Sequence, residues 1–432
     1  MLNPYSFFFL CILCGLIGFS LIKSMISSDK SKIWSPVTIV CLTMLYYIVL
    51  PSFGDIRLYG ANVTQGQHLF YFASVLFFIC VLIGFSWKQK NHFQNWNDFF
   101  HKDNIRAAGI MLFVFAMVCY MPFRGFRTTI WAEDAYMVSE RTGLVSYFID
   151  LISLFCASCG LMYIYYKSHK YRAKKGFYFW VVLYFSLVLF IVGGFRYRLV
   201  WLILSLATIY HLYPKPRRPN YILIMTVAIV AYLGFAIMDV SRQYGFGIKK
   251  DVASEISLTQ AQQGAGESVD VICFSIVAID EYNRNGGYAY FESIMTAILM
   301  PLPRSFFPWK PDGEYIRVAQ RRTIGSAEGG AACLGFVEGF ISFGWFGVIL
   351  YGLFFGWLSG VFWDNYRRHQ QSVGAILLIA LYNGFCYQFI ARGYLAGKFI
   401  DFLYFVIVPF WLVTLFMKIM PNVFVTKTIS KR

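Results

Sequence analysis

Residues 343–392, FGWFGVILYGLFFGWLSGVFWDNYRRHQQSVGAILLIALYNGFCYQFIAR, decide the fold. Two apolar runs, near 343–363 and 373–391, flank a short connector that carries Arg367 and Arg368. Each is close to the ~20 residues a helix needs to cross a hydrocarbon core of about 30 Å. Outward from this pair the pattern recurs, near 6–26, 33–53, 68–87, 105–123, 143–166, 177–195, 197–213, 221–238 and 399–417. The sequence therefore predicts an all-α polytopic membrane protein of eleven spans. Of the 432 residues 58% are hydrophobic, 20% aromatic and only 14% charged; the mean hydropathy is +0.56. A soluble chain carries roughly 25% charged residues. A soluble enzyme, a DNA-binding domain and a disulfide-stapled secreted domain are excluded, and so is an outer-membrane barrel, whose strands alternate with period two. The first run lacks a basic leader and a small-residue cleavage site, so it reads as part of the mature bundle.

The net charge of +16 is distributed by side. Segments 23–32, 88–106, 167–175, 214–220, 364–369 and 418–432 together hold 21 Lys+Arg against 4 Asp+Glu. By the positive-inside rule this is the cytoplasmic side, with the C-terminus inside and the N-terminus outside. The loops here are short, and anionic lipid of the inner leaflet suffices as their partner. Three regions follow: an eight-span bundle over 1–238, an external segment over 239–342, and three spans with a cytoplasmic tail over 343–432.

The external segment is too long for a passive connection. ESVDVICFSIVAIDEY sets Val269, Ile272, Ile276 and Ile279 at helical spacing. YFESIMTAILM is too short to cross a bilayer and reads as a helix along the interface or on the bundle. PLPRSFFPWKP ends it with prolines that forbid further helix, and the polar, Gly-rich 311–330 stretch reads as mobile. Ten cysteines lie mostly inside spans. The C-x-x-C pairs Cys11/Cys14 and Cys156/Cys159 sit in apolar runs and read as packing residues, while Cys273 and Cys333, both external, leave a disulfide open.

No H-E-x-x-H, Walker loop, dinucleotide fingerprint or G-x-S-x-G is present; ATP-driven transport and metalloprotease chemistry have no support. The chemical signal is arginine on the side where it is disfavoured. Arg196 and Arg198 occupy a tight joint between spans, Arg242 follows the eighth span, Arg304 and Lys310 flank the FFPW turn, and Arg392 caps the tenth span. An unpaired guanidinium near the membrane centre costs at least ~2.5–3.5 kcal/mol, and its planar fork pairs two-pronged with phosphate. One reading is a diphosphate-headgroup site; the other is that each arginine snorkels to lipid or pairs with an acid such as Asp239 or Asp401. Glu338 lies about one turn before an apolar span, where desolvation would poise it as a proton acceptor or arginine would pair with it. Trp309 and Tyr315 are among aromatics whose faces suit either sugar rings or an interfacial belt.

These parts in this order resemble the oligosaccharide repeat-unit polymerases, the O-antigen or Wzy-type polymerases. The shared features are a G-x-R turn (Gly194, Arg196), a large external loop, P-R-S-x-x-P-x-K-P (Pro303, Arg304, Ser305, Pro308, Lys310, Pro311) and E-x-x-x-x-F-G-x-x-G (Glu338, Phe343, Gly344, Gly347). The topology covers nearly the whole chain and the motifs about fifty residues. Many members are drawn with more than eleven spans. The resemblance implies a GT-C-like glycosyltransferase of the bacterial inner membrane, with its large loop periplasmic and no cofactor or metal. It would join oligosaccharide units carried on undecaprenyl diphosphate into O-antigen or similar surface polysaccharide of the lipopolysaccharide kind. Arg196, Arg198, Arg304 and Arg392 would hold the donor diphosphate, and Glu338 would assist the acceptor hydroxyl. Arg242, Lys310 and Arg317 would position the second chain, and a chain-length regulator is a further partner. A ligase using the same carrier would look alike. A flippase or polysaccharide transporter would be expected to carry ionisable residues mid-span, and a non-enzymatic scaffold leaves the arginines unexplained.

Overall fold

The computed structural model describes residues 3–53, 57–58, 61–62, 65–87, 104–124, 153–168, 176–192, 196–220, 222, 226, 267–299, 302, 307–309, 314–324 and 332–419. These residues are almost wholly helical, apart from a two-residue antiparallel ladder of β1 (Arg57–Leu58) and β2 (Ala61–Asn62). Five stretches are long and apolar enough to cross a membrane: α1 (Pro4–Ile26), α3 (Gln67–Ser86), α11 (Gly335–Arg368), α12 (Val373–Ala391) and Gly397–Met417. The last is built from α13 (Leu395–Phe402), a π turn at Leu403–Ile407 and α14 (Val408–Ile419). Shorter apolar helices are α2 (Pro36–Ser52) and the apolar parts of α4 (Ile105–Arg124), α6 (Gly176–Val192) and α7 (Arg196–Leu212). With α5 (Ser153–Ser168) they form one packed bundle. The chain is thus a helical protein of the multi-pass membrane type. Helices lie over ten of the eleven runs, five of them of spanning length; the run at 221–238, apart from Ile222 and Thr226, and the start of the 143–166 run lie outside the described residues.

Helix α12 is the hub. Its residues from Val373 to Phe385 are buried on every side, in line with a sequence whose apolar residues face all round rather than along one stripe. Against α11 it stacks Tyr382 on Phe362 (ring centroids 4.3 Å apart) and Phe389 on Phe355 (4.3 Å). Against α7 it seats Trp201 under Gly384, while Ser205 Oγ donates to the Ala380 carbonyl (3.1 Å). These pairings run antiparallel.

Among the described helices α3 and α11 pack most extensively, running parallel. Small residues make that approach possible, as is usual where lipid removes a hydrophobic drive between helices. A Cβ on Gly356 would lie 2.2 Å from the Val81 carbonyl oxygen, and one on Gly84 would lie 2.3 Å from that of Leu353. The sequence places the span at 343–363, but the helix begins earlier and breaks inside. Phe343 and Gly344 leave helical geometry, with φ +61° at Gly344, a region that glycine enters without strain. The arm 335–342 consequently folds back, bringing Gly339 against the backbone of Gly347.

Three further helices belong to the 239–342 segment. The apolar spacing predicted α8 (Glu267–Asn285), whose Ile272, Ile276 and Ile279 are fully buried. α9 (Glu292–Leu299) turns Ser293 and Thr296 inward and leaves Phe291, Met295 and Ile298 exposed. Such inverted amphipathicity suits an apolar surrounding, as the interfacial expectation for YFESIMTAILM requires. The expected mobility of 311–330 is corrected over part of its length: Glu314–Ile324 is a helix, α10, docked on α8 with Ala319 buried. Arg322 fastens it by donating to the carbonyls of Gly286 (3.1 Å) and Gly287 (3.3 Å) and lying over the Tyr282 ring (5.3 Å).

Ends of the bundle differ in chemistry. At one end Thr38 meets Ser24, Trp34 stacks on His211, and the Arg217 amide donates to the His211 carbonyl. Lys23, Lys32, Arg217 and Arg218 therefore share that end. At the other end Tyr71 donates to Ser52 (2.7 Å), and Asn3, Gln65 and Asp280 line one cleft.

Candidate functional site

The folded-back arm of α11 brings Glu338 to the second end, under the 239–342 helices. Gly335 and Gly393 let it sit there. A Cβ on Gly335 would strike the Phe389 carbonyl oxygen at 2.1 Å, and one on Gly393 would strike Cys333 Sγ at 2.7 Å. The Gly393 amide donates to the Cys333 carbonyl (2.6 Å), and the Leu334 amide to Ser275 Oγ on α8 (2.9 Å). Glu338 is thereby only 1% exposed. Its Oε1 accepts from the Tyr315 hydroxyl of α10 (2.5 Å) and from the Leu395 amide that opens α13 (2.5 Å). Oε2 has no hydrogen-bond partner among the described residues. The carboxylate thus joins three elements through one oxygen and keeps one oxygen in reserve.

Tyr315, expected to offer a face to sugar, is turned inward. It is 2% exposed, donates to Glu338 and lies beside the Tyr394 ring (6.3 Å). Burial first, and the adjacent Glu338 carboxylate second, push its phenol well above the usual tyrosine range. The phenol therefore keeps its proton and remains a donor. Tyr351 packs on Gly335 and Gly339, and its buried hydroxyl also has no hydrogen-bond partner among the described residues.

Next to this carboxylate lies a partly buried ionic pair, buried at Lys398 and half-buried at Asp401, that the sequence reading did not pick out. Lys398, 5% exposed, pairs through Nζ with Asp401 Oδ2 at 3.1 Å, and Gln388 Nε2 donates to the same oxygen at 2.8 Å. Asp401, considered above as a partner for arginine, is held by Lys398 and Gln388. Arg392 caps α12 and is half-buried. Arg198, 2% exposed, stands one turn before Trp201. The antiparallel register of α7 and α12 carries it to the end of α12 that leads into Arg392.

The remaining expected residues divide as follows. Arg317 is exposed on α10, and Trp309 is 65% exposed. Arg196 opens α7, its side chain lying outside the description, while Arg242, Arg304 and Lys310 lie outside the described residues altogether. Among the described residues all cysteines are free. Cys273 and Cys333 are both buried, and burial pushes the Cys273 thiol up to about 12. Among the described residues no three His, Cys, Asp or Glu side chains converge as a metal would require.

Chemically, the end offers two buried cations (Arg198, Lys398), a half-buried Arg392, and two carboxylates in a low-dielectric setting where charge interactions are strong. Such a set can hold a multivalent anion and pass a proton at Glu338. No protein-family model, curated protein or solved structure matches the chain.

Proposed function

We propose that the protein is a membrane glycosyltransferase that joins oligosaccharide repeat units carried on undecaprenyl diphosphate, at the outer face of the bacterial inner membrane. The observation that carries this reading is the concentration of Arg198, Arg392 and Lys398 at one end of an apolar bundle, away from the end that holds Lys23, Arg217 and Arg218. Guanidinium groups in a water-poor site would stabilise the negative charge that develops as the diphosphate leaves. Diphosphate is a good leaving group, so the chemistry asks only for removal of the acceptor hydroxyl proton. Glu338 is the candidate for that step, and the exposed Arg317 and Trp309 are candidates for contacts to the acceptor chain. Arg196, Arg242, Arg304 and Lys310 complete the proposed cationic set, in an eleven-span, GT-C-like architecture.

The glycan banding pattern of a deletion strain tests the reading. Polymerase loss leaves surface glycan capped with a single repeat; full-length chains stranded on the carrier would indicate a ligase instead. The second reading, a polysaccharide flippase, is favoured by the partly buried Lys398–Asp401 pair and the neighbouring Glu338, since ionisable groups in spanning helices mark transport pathways. It predicts complete loss of surface glycan.

A further inference from the structure

Where the starts of α1 and α3 meet the end of α8, a cleft of about 560 Å³ opens, within the range of ligand sites (about 300–1,000 Å³). Its polar lining is Asn3, Gln65, His68, Asp280, Asn283 and Arg284. The charges there are already spent on each other. Arg284 pairs with Asp280 Oδ2 at 2.7 Å and donates to Gln65 Oε1 at 3.2 Å. One formal positive and one formal negative charge cancel, so the cleft has no surplus for phosphate. What remains is the Asn283 carboxamide and the His68 imidazole, groups that donate and accept from the same planar head, with the amide N–H groups of Asn3 and Gln65, whose oxygens already accept from the Tyr5 amide and from Arg284. Sugar hydroxyls likewise donate and accept from one atom, often in adjacent pairs. Gly66, at φ +76°, presses its backbone against this wall, and a Cβ there would lie 2.5 Å from Asp280 Cβ.

We propose that this cleft binds an uncharged oligosaccharide and serves as a subsite for the glycan beyond the reacting sugar. The assignment rests on the glycosyltransferase reading. The link to the candidate site is α8, which lines the cleft with Asp280 and whose Ser275 Oγ accepts from the amide of Leu334, four residues before Glu338.

The test uses the full chain in nanodiscs and, as probe, the oligosaccharide released by mild acid from the carrier lipid of the native cells. Saturation-transfer NMR should detect binding to the wild type. Asn283→Ala and His68→Ala should each weaken it about tenfold, the effect of one lost hydrogen bond of ~1.4 kcal/mol, with thermal unfolding unchanged. Inorganic diphosphate should not displace the probe. No binding to the wild type, equal binding to the variants, or displacement by diphosphate would each overturn the assignment. Failure of the polymerase reading registers separately: a deletion strain that keeps its full ladder removes that reading, while probe binding lost in both variants still identifies a glycan cleft.

Discussion

Glu338 ties Tyr315 to Leu395, and the proton on Tyr315 is what makes that tie a hydrogen bond. Because the folded phenol is held above its unfolded value of about 10, its contribution is fully present below pH ~10 and fades as pH rises beyond that. Thermal unfolding of Tyr315→Phe should therefore sit below the wild type by the same margin from pH 7 to 9, and the two curves should converge above pH 10. A margin that already shrinks between pH 7 and 9 would contradict the assigned donor. Lys398 makes a second prediction. Removing one partner of a buried pair costs roughly 3–5 kcal/mol, whereas replacing both with apolar residues is often neutral. Lys398→Met should lower the unfolding midpoint sharply, and Lys398→Met with Asp401→Leu should recover most of the loss. Glu338 was legible in the sequence as an acid set before an apolar run. Lys398 was not, because the span was started at residue 399 and a lysine at a span edge reads as a flanking anchor; the i, i+3 pairing with Asp401 is the signal that would have marked it.

Among the helices, α11 shows how local rules and packing combine. Its apolar run announced a membrane span, yet the run alone could not show that Phe343–Gly344 breaks the helix and returns the 335–342 arm onto Gly347. That return needs glycine at facing positions, which is a property of two segments and not of one. The α3 contact is similar. Gly356→Val would place a side chain into the Val81 backbone and should weaken the fold by several kcal/mol, seen as a lower unfolding midpoint and poor accumulation; Gly15→Val, whose added Cβ meets nothing within 4 Å, should behave as wild type. α8 was readable because its apolar spacing is regular. α10 was misread as mobile because its sequence is polar, with Tyr315, Ala319 and Gln320 as its buried side and Arg322 supplying the fastening by hydrogen bond and cation–π contact. Periodicity reports apolar burial and is blind to that kind of attachment.

Among the described residues, Lys23, Arg217 and Arg218 lie at one end of the bundle and Glu338, Arg392 and Lys398 at the other. The proposed orientation puts the first of these ends in the cytoplasm. A membrane-impermeant thiol reagent applied to intact spheroplasts should label Asn283→Cys and leave Arg218→Cys unlabelled until the cells are permeabilised. Labelling of both from one side would contradict the proposed orientation. The central proposal is that buried arginine, at the end of the bundle assigned to the outer face, grips the carrier diphosphate during chain extension. Its most direct measurement is the surface-glycan ladder of a deletion strain carrying Arg198→Ala, alongside Arg198→Lys and the wild type, with membrane levels of each protein matched. The account predicts a single-repeat cap for Arg198→Ala and at most partial extension for Arg198→Lys; a wild-type ladder from Arg198→Ala would contradict it.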